Sequence, residues 1–354
     1  MTSIGELRRR TLEALTRPSY SISRKDMILL NDNANLVGVN PAVEEVASKF
    51  DFARLWAYPS ENSDALRERI GAEFGVSADE VIVGNGSDEI IDIASKCFLN
   101  PADAFCSPTP TFSMYKFYAR LHLARIIEKV LRSDFTLDPA PILEERAKLT
   151  ALCQPNNPTA VLFEGGSVRK ILRESYGIVM VDEAYADFCG SSMLKDVMSS
   201  EHAIDLRTFS KAQGIAGLRV GFAISRKEVV DELRSVRTPF GLNSFAEAVA
   251  KRALDNREWV KGVVDRMSVE RAYLRPKLER LGFKVYPSDC NFLLCKAPVS
   301  GPALVSALRG EGVAIRDCNS YPLLENHVRI TVAPRPMLDA LIEKLEHLIG
   351  GGAE

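Results

Sequence analysis

The sequence predicts an α/β protein, with a mostly parallel central sheet in a large domain and a smaller α+β domain beside it. Short apolar runs alternate with helical patterns from about residue 80 to 240, which is typical of a doubly wound sheet. Residues 243–281 then carry a long helical pattern, after which short strand patterns return. With 354 residues, the chain is long enough to bury two hydrophobic cores.

The domain boundaries follow from these patterns. We expect residues 1–44 to pack with the small domain, residues 45–255 to form the large domain, and residues 256–354 to form the small domain. The pattern over 243–281 predicts one long helix or two abutting helices, interrupted at Pro276. The expected strands of the small domain are residues 284–286, 291–294, 313–315 and 328–332.

A glycine turn early in the large domain predicts a phosphate-binding loop. The apolar residues 81–83 lead into Gly84, Gly86 and Ser87, and an apolar-periodic helix follows. Glycines let the backbone approach a phosphate, and the free N–H groups at a helix start bind it. The segment lacks the third glycine of a dinucleotide fingerprint and the Gly-Lys-Ser/Thr ending of a nucleotide P-loop. A loop that turns into a helix also requires glycine for purely local reasons.

Residues 178–183 predict a buried strand that carries an acid to a binding site. They read Ile-Val-Met-Val-Asp-Glu, a continuous apolar run typical of parallel sheets buried on both faces. Asp182 would lie outside the carboxyl end of this strand, where open α/β sheets bind ligands. Asn157 precedes Pro158, which holds it extended or in a turn, and Tyr185 follows Asp182 by three residues. Each residue alone also has an ordinary explanation as a cap, a turn or a core residue.

Lys211 is the most informative residue of the chain because of its neighbours. Thr208 and Ser210 precede it, and Arg219 follows among small residues. Hydroxyls and a guanidinium are the donors that a phosphate group requires. A lysine beside them can form a Schiff base with a carbonyl if part of it is deprotonated. Lysine and phosphate site together suggest pyridoxal 5′-phosphate (PLP), whose ring nitrogen Asp182 would keep protonated.

An ordered set of motifs runs nearly end to end through the chain, at residues 30–35, 58–59, 84–89, 110–115, 155–159, 182–185, 210–212, 217–219 and 328–332. In order and spacing this set resembles the class I/II aminotransferases, and most closely their histidinol-phosphate aminotransferase branch. The resemblance implies the PLP fold type I, with PLP bound to the large domain, and a transferase activity that proceeds in ping-pong half-reactions.

The resemblance also implies roles for individual residues. Lys211 would form the Schiff base with PLP and then move the proton of the substrate carbon. Asp182 would pair with the pyridinium nitrogen, Asn157 and Tyr185 would bond the phenolic oxygen of the ring, and Phe112 would stack on it. The implied phosphate-binding residues are Gly86, Ser87, Asp88, Thr208, Ser210 and Arg219.

Two further implications concern the second subunit and one loop. Tyr58 would reach the cofactor phosphate from a neighbouring protomer, so the resemblance implies a homodimer with shared active sites. Ala160 stands where the related sequences often have glycine, and alanine adopts a positive φ only at some energetic cost. We therefore expect a slightly different loop after Asn157.

The resemblance assigns Tyr20, Arg316 and Arg329 to the substrate. Two guanidinium forks and a phenol make a stronger phosphate site than a carboxylate requires. The expected reaction is therefore amino transfer from L-histidinol phosphate to 2-oxoglutarate, in histidine biosynthesis. The structural alternative is that both arginines lie on a solvated strand face, with Asp317 as an ion-pair partner for Arg316.

Two other activities share this set of cofactor-binding residues. An aromatic amino-acid aminotransferase would lose the same Cα proton from a different substrate. A threonine-phosphate decarboxylase would lose the carboxylate instead, because the bond perpendicular to the cofactor ring is the one that breaks. The sequence leaves this choice open.

Composition excludes several other classes of protein. A formal net charge of −2 gives no support for nucleic-acid binding or an acidic membrane surface. The chain has no apolar stretch of 18 residues and no signal-like start, so we expect a soluble, cytoplasmic protein. Seven cysteines without a Cys-x-x-Cys motif indicate reduced core thiols, and four scattered histidines give no metal-binding spacing.

Overall fold

The structure is a computed structural model, and it describes residues 26–350 of the chain. In this part of the chain the strands are β1 (Ile28–Leu30), β2 (Val81–Gly84), β3 (Ala104–Thr109), β4 (Arg125–Val130), β5 (Leu149–Cys153), β6 (Ile178–Asp182), β7 (Ala203–Thr208), β8 (Gly221–Ser225), β9 (Lys284–Val285), β10 (Phe292–Lys296), β11 (Val313–Asp317) and β12 (His327–Thr331).

The helices of the same part are α1 (Ala42–Ala47), α2 (Asp64–Phe74), α3 (Ser87–Phe98), α4 (Met114–Leu121), α5 (Ala140–Glu144), α6 (Gly165–Glu174), α7 (Ala186–Cys189), α8 (Leu194–Ser199), α9 (Lys227–Ser235), α10 (Ser244–Ala253), α11 (Arg257–Arg280), α12 (Gly301–Gly310) and α13 (Arg335–Gly350). None of these helices is both long and apolar enough to cross a membrane.

The large sheet has seven strands in the order β2-β8-β7-β6-β5-β3-β4. The strands from β7 to β4 are parallel, whereas β8 is antiparallel to both β7 and β2. All residues of β5, β6 and β7 are buried. Strands β5 and β6 are accordingly almost entirely apolar, whereas β7 contains the buried ion pair of Asp205 and Arg207. The predicted mostly parallel sheet is confirmed, and β6 ends at Asp182 as expected.

Helices cover both faces of this sheet. On one face, α3, α4 and α9 pack against the strands and bury side chains such as Ile90, Tyr115 and Val230. On the opposite face, α6 and α8 bury Ile171 and Val197. The carboxyl ends of the parallel strands remain uncovered by these helices and form one wall of a pocket.

The small sheet has five strands in the order β1-β11-β12-β10-β9. Strand β1 pairs with β11 in parallel, and the other pairs are antiparallel. The four strands expected after residue 283 are present, with ends shifted by one or two residues. Through β1, the segment of residues 31–35 is placed beside β11 and β12.

The long helical pattern divides into α10 and α11, and the predicted interruption at Pro276 is wrong. The break lies at residues 254–256, and Pro276 stands inside the last turns of α11. Leu274 and Leu278 flank this proline and are fully buried in the core of the small sheet. Their burial holds the helix together although the proline removes one backbone hydrogen bond.

Candidate active site

One pocket lies where the carboxyl ends of β5, β6 and β7 face strands β11 and β12, and its volume is about 280 Å³. Among its lining residues are most of the predicted site residues, namely Ser87, Asp88, Phe112, Asn157, Asp182, Tyr185, Thr208, Ser210, Lys211, Arg219, Arg316 and Arg329. Tyr58 lies on the surface, with 83% of its area exposed. Tyr20 lies outside the described residues.

Lys211 follows β7 and points its amine into the pocket. Its Nζ donates a hydrogen bond to the backbone oxygen of Asp32 at 3.0 Å and lies 5.5 Å from the centre of the Tyr185 ring. Burial, followed by the positive charge of Arg329, lowers the pKa of Lys211 to about 8. About a tenth of this amine is therefore neutral at pH 7, far more than for an ordinary lysine.

Asp182 ends β6 at the floor of the pocket. The hydroxyl of Tyr115 donates to Oδ2 at 2.5 Å, and the backbone N–H of Ala184 donates to Oδ1 at 3.0 Å. Burial raises the pKa of Asp182 to about 6, and these two hydrogen bonds act in the opposite direction. The carboxyl group is therefore mostly ionised at neutral pH although it is buried.

Two glycines make room for an anion-binding turn at the start of α3. Gly86 has a φ of +84°, and a Cβ at this position would lie 2.5 Å from Nη2 of Arg219. A Cβ on Gly221 would lie 2.2 Å from the backbone nitrogen of Ser87. Arg219 donates through Nη1 to Ser210 Oγ at 3.4 Å. Helix N–H groups, hydroxyls and a guanidinium thus surround one position, as a phosphate requires.

The loop after β5 contributes Asn157, and a buried tyrosine lies nearby. Asn157 Oδ1 accepts a hydrogen bond from Arg329 Nη1 at 2.5 Å, and the Tyr185 hydroxyl accepts one from Asn33 Nδ2 at 3.0 Å. Burial raises the pKa of Tyr185, so its hydroxyl stays protonated. Ala160 has a φ of +63°, so it adopts the left-handed backbone conformation, which costs an alanine more energy than a glycine.

Arg316 and Arg329 face the pocket from the small sheet. Arg329 is only 7% exposed, and its Nη2 donates to the backbone oxygen of Asn31 at 2.6 Å, so a solvated face is wrong for this residue. Its Nε is buried without a hydrogen-bond partner. Arg316 pairs with Asp32 at 3.0 Å, whereas the sequence had suggested Asp317 as its partner.

The sequence assigned no role to several residues that lie in or beside the pocket. Asn33 and Asp32 belong to a quoted motif, but no role was assigned to them, although a polar cluster directly after the apolar β1 is a usable signal. Tyr115 belongs to the motif at residues 110–115 and lies behind the pocket lining, and the sequence alone gave it no role. Cys153, at the end of β5, lines the pocket and had been placed in the core.

Comparisons with known proteins agree on one family. A family model described as aminotransferase class I and II matches residues 25–345. A protein from Dehalococcoides mccartyi named histidinol-phosphate aminotransferase is 32% identical over 94% of this chain and 93% of its own length. A protein of the same name from a Thermoanaerobacter species is 36% identical over 82% of this chain and 84% of its own length.

A solved structure has the same fold. The crystal structure of histidinol-phosphate aminotransferase from Sinorhizobium meliloti, in complex with pyridoxal 5′-phosphate, superposes with a TM-score of 0.86. The match covers 92% of each chain at 22% sequence identity, so it establishes the expected PLP fold type I. Given the family match over most of the sequence and relatives above 30% identity, the chain belongs to the class I and II aminotransferases and is a transferase enzyme.

Proposed function

We propose that this protein transfers the amino group of L-histidinol phosphate to 2-oxoglutarate, with PLP as its cofactor. One observation carries the proposal: a single pocket has two separate cationic ends. Arg219 lies at the glycine turn, whereas Arg316 and Arg329 lie on the small sheet. Lys211 lines the same pocket, and the charges of Arg329 and Arg219 both lower the pKa of its amine.

The residues present fit PLP. The absence of a Cβ at Gly86 and Gly221 lets the Arg219 guanidinium and the Ser87 backbone nitrogen approach the turn closely, and these donors suit the cofactor phosphate. Asp182 is a buried acid suited to a protonated ring nitrogen, and Lys211 is a partly neutral amine suited to an aldehyde. We assign the phenolic oxygen of the ring to Asn157 and Tyr185, and we infer that the ring stacks on Phe112.

When bound, PLP supplies an aldehyde and an electron-withdrawing ring that stabilises negative charge on the substrate carbon. Lys211 would hold the cofactor through Nζ. Once the substrate amine has taken its place, the free Nζ would accept the proton of the substrate carbon and pass it to the cofactor carbon. Asp182 keeps the ring nitrogen protonated. Arg329 and Arg316 hold the anionic end of the substrate, and thereby orient the carbon towards Lys211.

The choice of a phosphate-bearing substrate rests on the arginine pair. Arg316 and Arg329 are adjacent cations, and Arg329 Nε has no partner in its buried position. A dianion with several acceptor oxygens satisfies such a pair better than a single carboxylate does. The names of the relatives above support the same substrate, and Tyr20 would add its phenol to this site.

The test is a half-reaction with the PLP-loaded enzyme. L-Histidinol phosphate should remove the visible absorption band of the bound cofactor much faster than phenylalanine or threonine phosphate does. If phenylalanine were fastest, the protein would be an aromatic aminotransferase. Release of carbon dioxide from threonine phosphate would instead identify a decarboxylase. Either result would overturn the histidinol-phosphate assignment and leave the family unchanged.

We also propose that the protein is a homodimer that shares its active sites. Trp56 and Tyr58 are each 83% exposed, and the Tyr58 ring packs 5.0 Å from that of Phe240, which is itself 42% exposed. Phe52 and Leu55 extend this apolar surface. An apolar surface of this kind is suited to a partner, and the family resemblance makes that partner a second copy, with Tyr58 near its cofactor phosphate.

Sedimentation velocity tests this arrangement. The wild-type chain should sediment as a dimer, and Trp56→Asp should shift it towards monomer. Tyr176 is 59% exposed and lies outside this surface, so Tyr176→Asp is the matched control. A monomeric wild-type protein with full activity would contradict the proposal.

A further inference from the structure

Tyr115 contacts the acid of the site from behind the pocket. Its side chain is fully buried on α4, and its hydroxyl donates to Asp182 Oδ2 at 2.5 Å. Its ring packs edge-on against that of Phe112, with centroids 5.4 Å apart and planes at 83°. Tyr115 does not line the pocket itself, so it acts on a ligand only through neighbours that do.

We propose that Tyr115 is a positioning residue, whose hydroxyl holds the carboxylate of Asp182 in an ionised state and in one orientation towards the ring nitrogen of the cofactor. The proposal deepens the function proposed above and rests on it for the identity of the cofactor. The one hydroxyl thus has two effects: it favours the ionised form of Asp182, and it fixes the orientation of the carboxylate.

The orientation follows from the two hydrogen bonds. The Tyr115 hydroxyl holds Oδ2, and the Ala184 N–H holds Oδ1, so both oxygens are fixed and rotation of the carboxyl group would break both bonds. Each oxygen keeps a second acceptor position. A donor in the pocket, such as a protonated ring nitrogen, can therefore bind without displacing Tyr115.

The charge follows from the surroundings of Asp182. Burial disfavours its ionised form, and the negative charges of Asp88 on α3 and Asp205 on β7 act in the same direction. The bonds from Tyr115 and Ala184 favour the ionised form. Cys153 on β5 lies beside the pair, and burial raises the pKa of its thiol, so it adds no charge at neutral pH. The side-chain hydroxyl is therefore the donor that mutation can remove.

The experiment is Tyr115→Phe in the full chain, which removes the hydroxyl and keeps the ring. The first readout is the rate at which the PLP-loaded enzyme releases its cofactor at pH 7.5. A hydrogen bond to a charged group contributes enough for about a 10-fold faster release in the variant. The second readout is the unfolding free energy of the cofactor-free chain between pH 4.5 and 8.

The pH series separates positioning from simple core packing. The hydroxyl bonds an ionised carboxylate more strongly than a protonated one, so the destabilisation by Tyr115→Phe should increase as the pH rises through about 6, the pKa of Asp182. A lost packing contact would cost the same at every pH. In an Asp182→Asn background, Tyr115→Phe should lose this pH dependence.

The chain offers a matched control in Tyr273 on α11. Its hydroxyl donates to Asp339 Oδ1, also at 2.5 Å, but on the exposed surface and away from the pocket lining. Tyr273→Phe removes the same kind of bond and should leave both readouts at their wild-type values. If Tyr115→Phe releases the cofactor at the wild-type rate and its destabilisation is constant with pH, the proposal is wrong.

Two further outcomes are distinguishable. If wild-type protein fails to bind PLP, the proposed function fails, while the pH series still decides whether Tyr115 holds Asp182 as an anion. If Tyr115→Phe does not fold, the infrared difference spectrum between wild type and Asp182→Asn is measured instead, and it reports the protonation state of Asp182. A carboxylate band at pH 7.5 supports the proposal, and a carboxylic-acid band at that pH overturns it.

Discussion

Arg316 and Arg329 are direct partners across the antiparallel strands β11 and β12. Like charges in this relationship repel each other, and the protein compensates with Asp32 beside Arg316 and with the oxygens of Asn31 and Asn157 beside Arg329. The compensation is incomplete, because Nε of Arg329 remains without a partner. The pair therefore combines two adjacent positive charges with one unsatisfied buried donor.

Replacement of Arg329 by lysine tests the importance of this geometry. Lysine keeps the charge but loses the planar fork, so the KM for L-histidinol phosphate should rise by about 10–100-fold. Arg329 lies over the ring of Phe292, with Cζ 5.3 Å from its centre. Arg335→Lys is the control, since Arg335 likewise stacks on the ring of Tyr273 but lies outside the pocket lining. Unchanged steady-state kinetics for every anionic substrate would exclude Arg329 as the substrate clamp.

Removal of the Lys211 amine tests the chemical step. Lys211→Ala should lower amino transfer by about 10³-fold or more, because the group that moves the proton is gone. The variant should fold normally and retain PLP without a covalent bond, which mass spectrometry after borohydride reduction can verify. Lys227→Ala, at an exposed position of α9, is expected to keep full activity. Substantial turnover by Lys211→Ala would refute the assigned role.

The lowered pKa of Lys211 predicts how the cofactor-free chain captures PLP. Only the neutral amine attacks an aldehyde, so the capture rate should rise with pH and level off above about 8, whereas an ordinary lysine levels off above about 10. Stopped-flow absorbance measures this rate. Arg329→Gln removes a charge that lowers the pKa of Lys211, so in this variant the midpoint of the capture rate should move to a higher pH. An unshifted midpoint in the variant would show that Arg329 does not act on Lys211.

A buried charge cluster beneath the pocket predicts a pH-dependent stability. Arg207 contacts both Glu183 and Asp205, so one cation serves two buried carboxylates. Glu183 also accepts hydrogen bonds from Ser192 Oγ at 2.6 Å and from the Met193 N–H at 2.5 Å. Burial and the charge of Asp205 raise the pKa of Glu183 to about 8.

The sign of the effect follows from this raised pKa. The folded state holds a proton on Glu183 that the unfolded state releases near its ordinary pKa, so this contribution to stability declines as the pH rises towards 8. Glu183→Gln removes the titration. Relative to wild type, the variant should gain about 1–3 kcal/mol in unfolding free energy between pH 5 and pH 8. Urea denaturation measures this difference, and Glu128→Gln in a half-exposed pair with Lys116 is the control. A constant difference over this range would contradict the raised pKa.

Sequence patterns predicted the parts of the site that lie in or directly after buried strands. Asp182 could be placed because it ends a continuous apolar run, and such a run emerges at the carboxyl edge of a parallel sheet. Lys211 could be placed because Thr208, Ser210 and Arg219 around it are the donors that a phosphate group requires. The glycine turn before α3 was visible because Gly84 and Gly86 stand between an apolar run and a helical pattern. The structure adds that a Cβ on Gly86 would collide with Arg219.

The remaining contacts join residues that are far apart in the chain, and local patterns do not contain them. Asn33 bonds Tyr185 across 152 positions, and Tyr115 bonds Asp182 across 67. The position of the helix break was missed for a related reason, because the burial of Leu274 and Leu278 against the small sheet overrides the local effect of Pro276. Tertiary packing decided each of these features.

The segment that follows β1 also sets the order in which the site can form during synthesis. Asn33 donates its backbone N–H to Thr331 Oγ1 at 3.0 Å, although 298 positions separate the two residues. Lys211 and the glycine turn precede β12 in the chain, so the ribosome completes them before it makes Arg329 and Thr331. A nascent chain that ends before residue 327 already contains Lys211 and the glycine turn, but Asn33 meets its partner Thr331 only after β12 has left the exit tunnel.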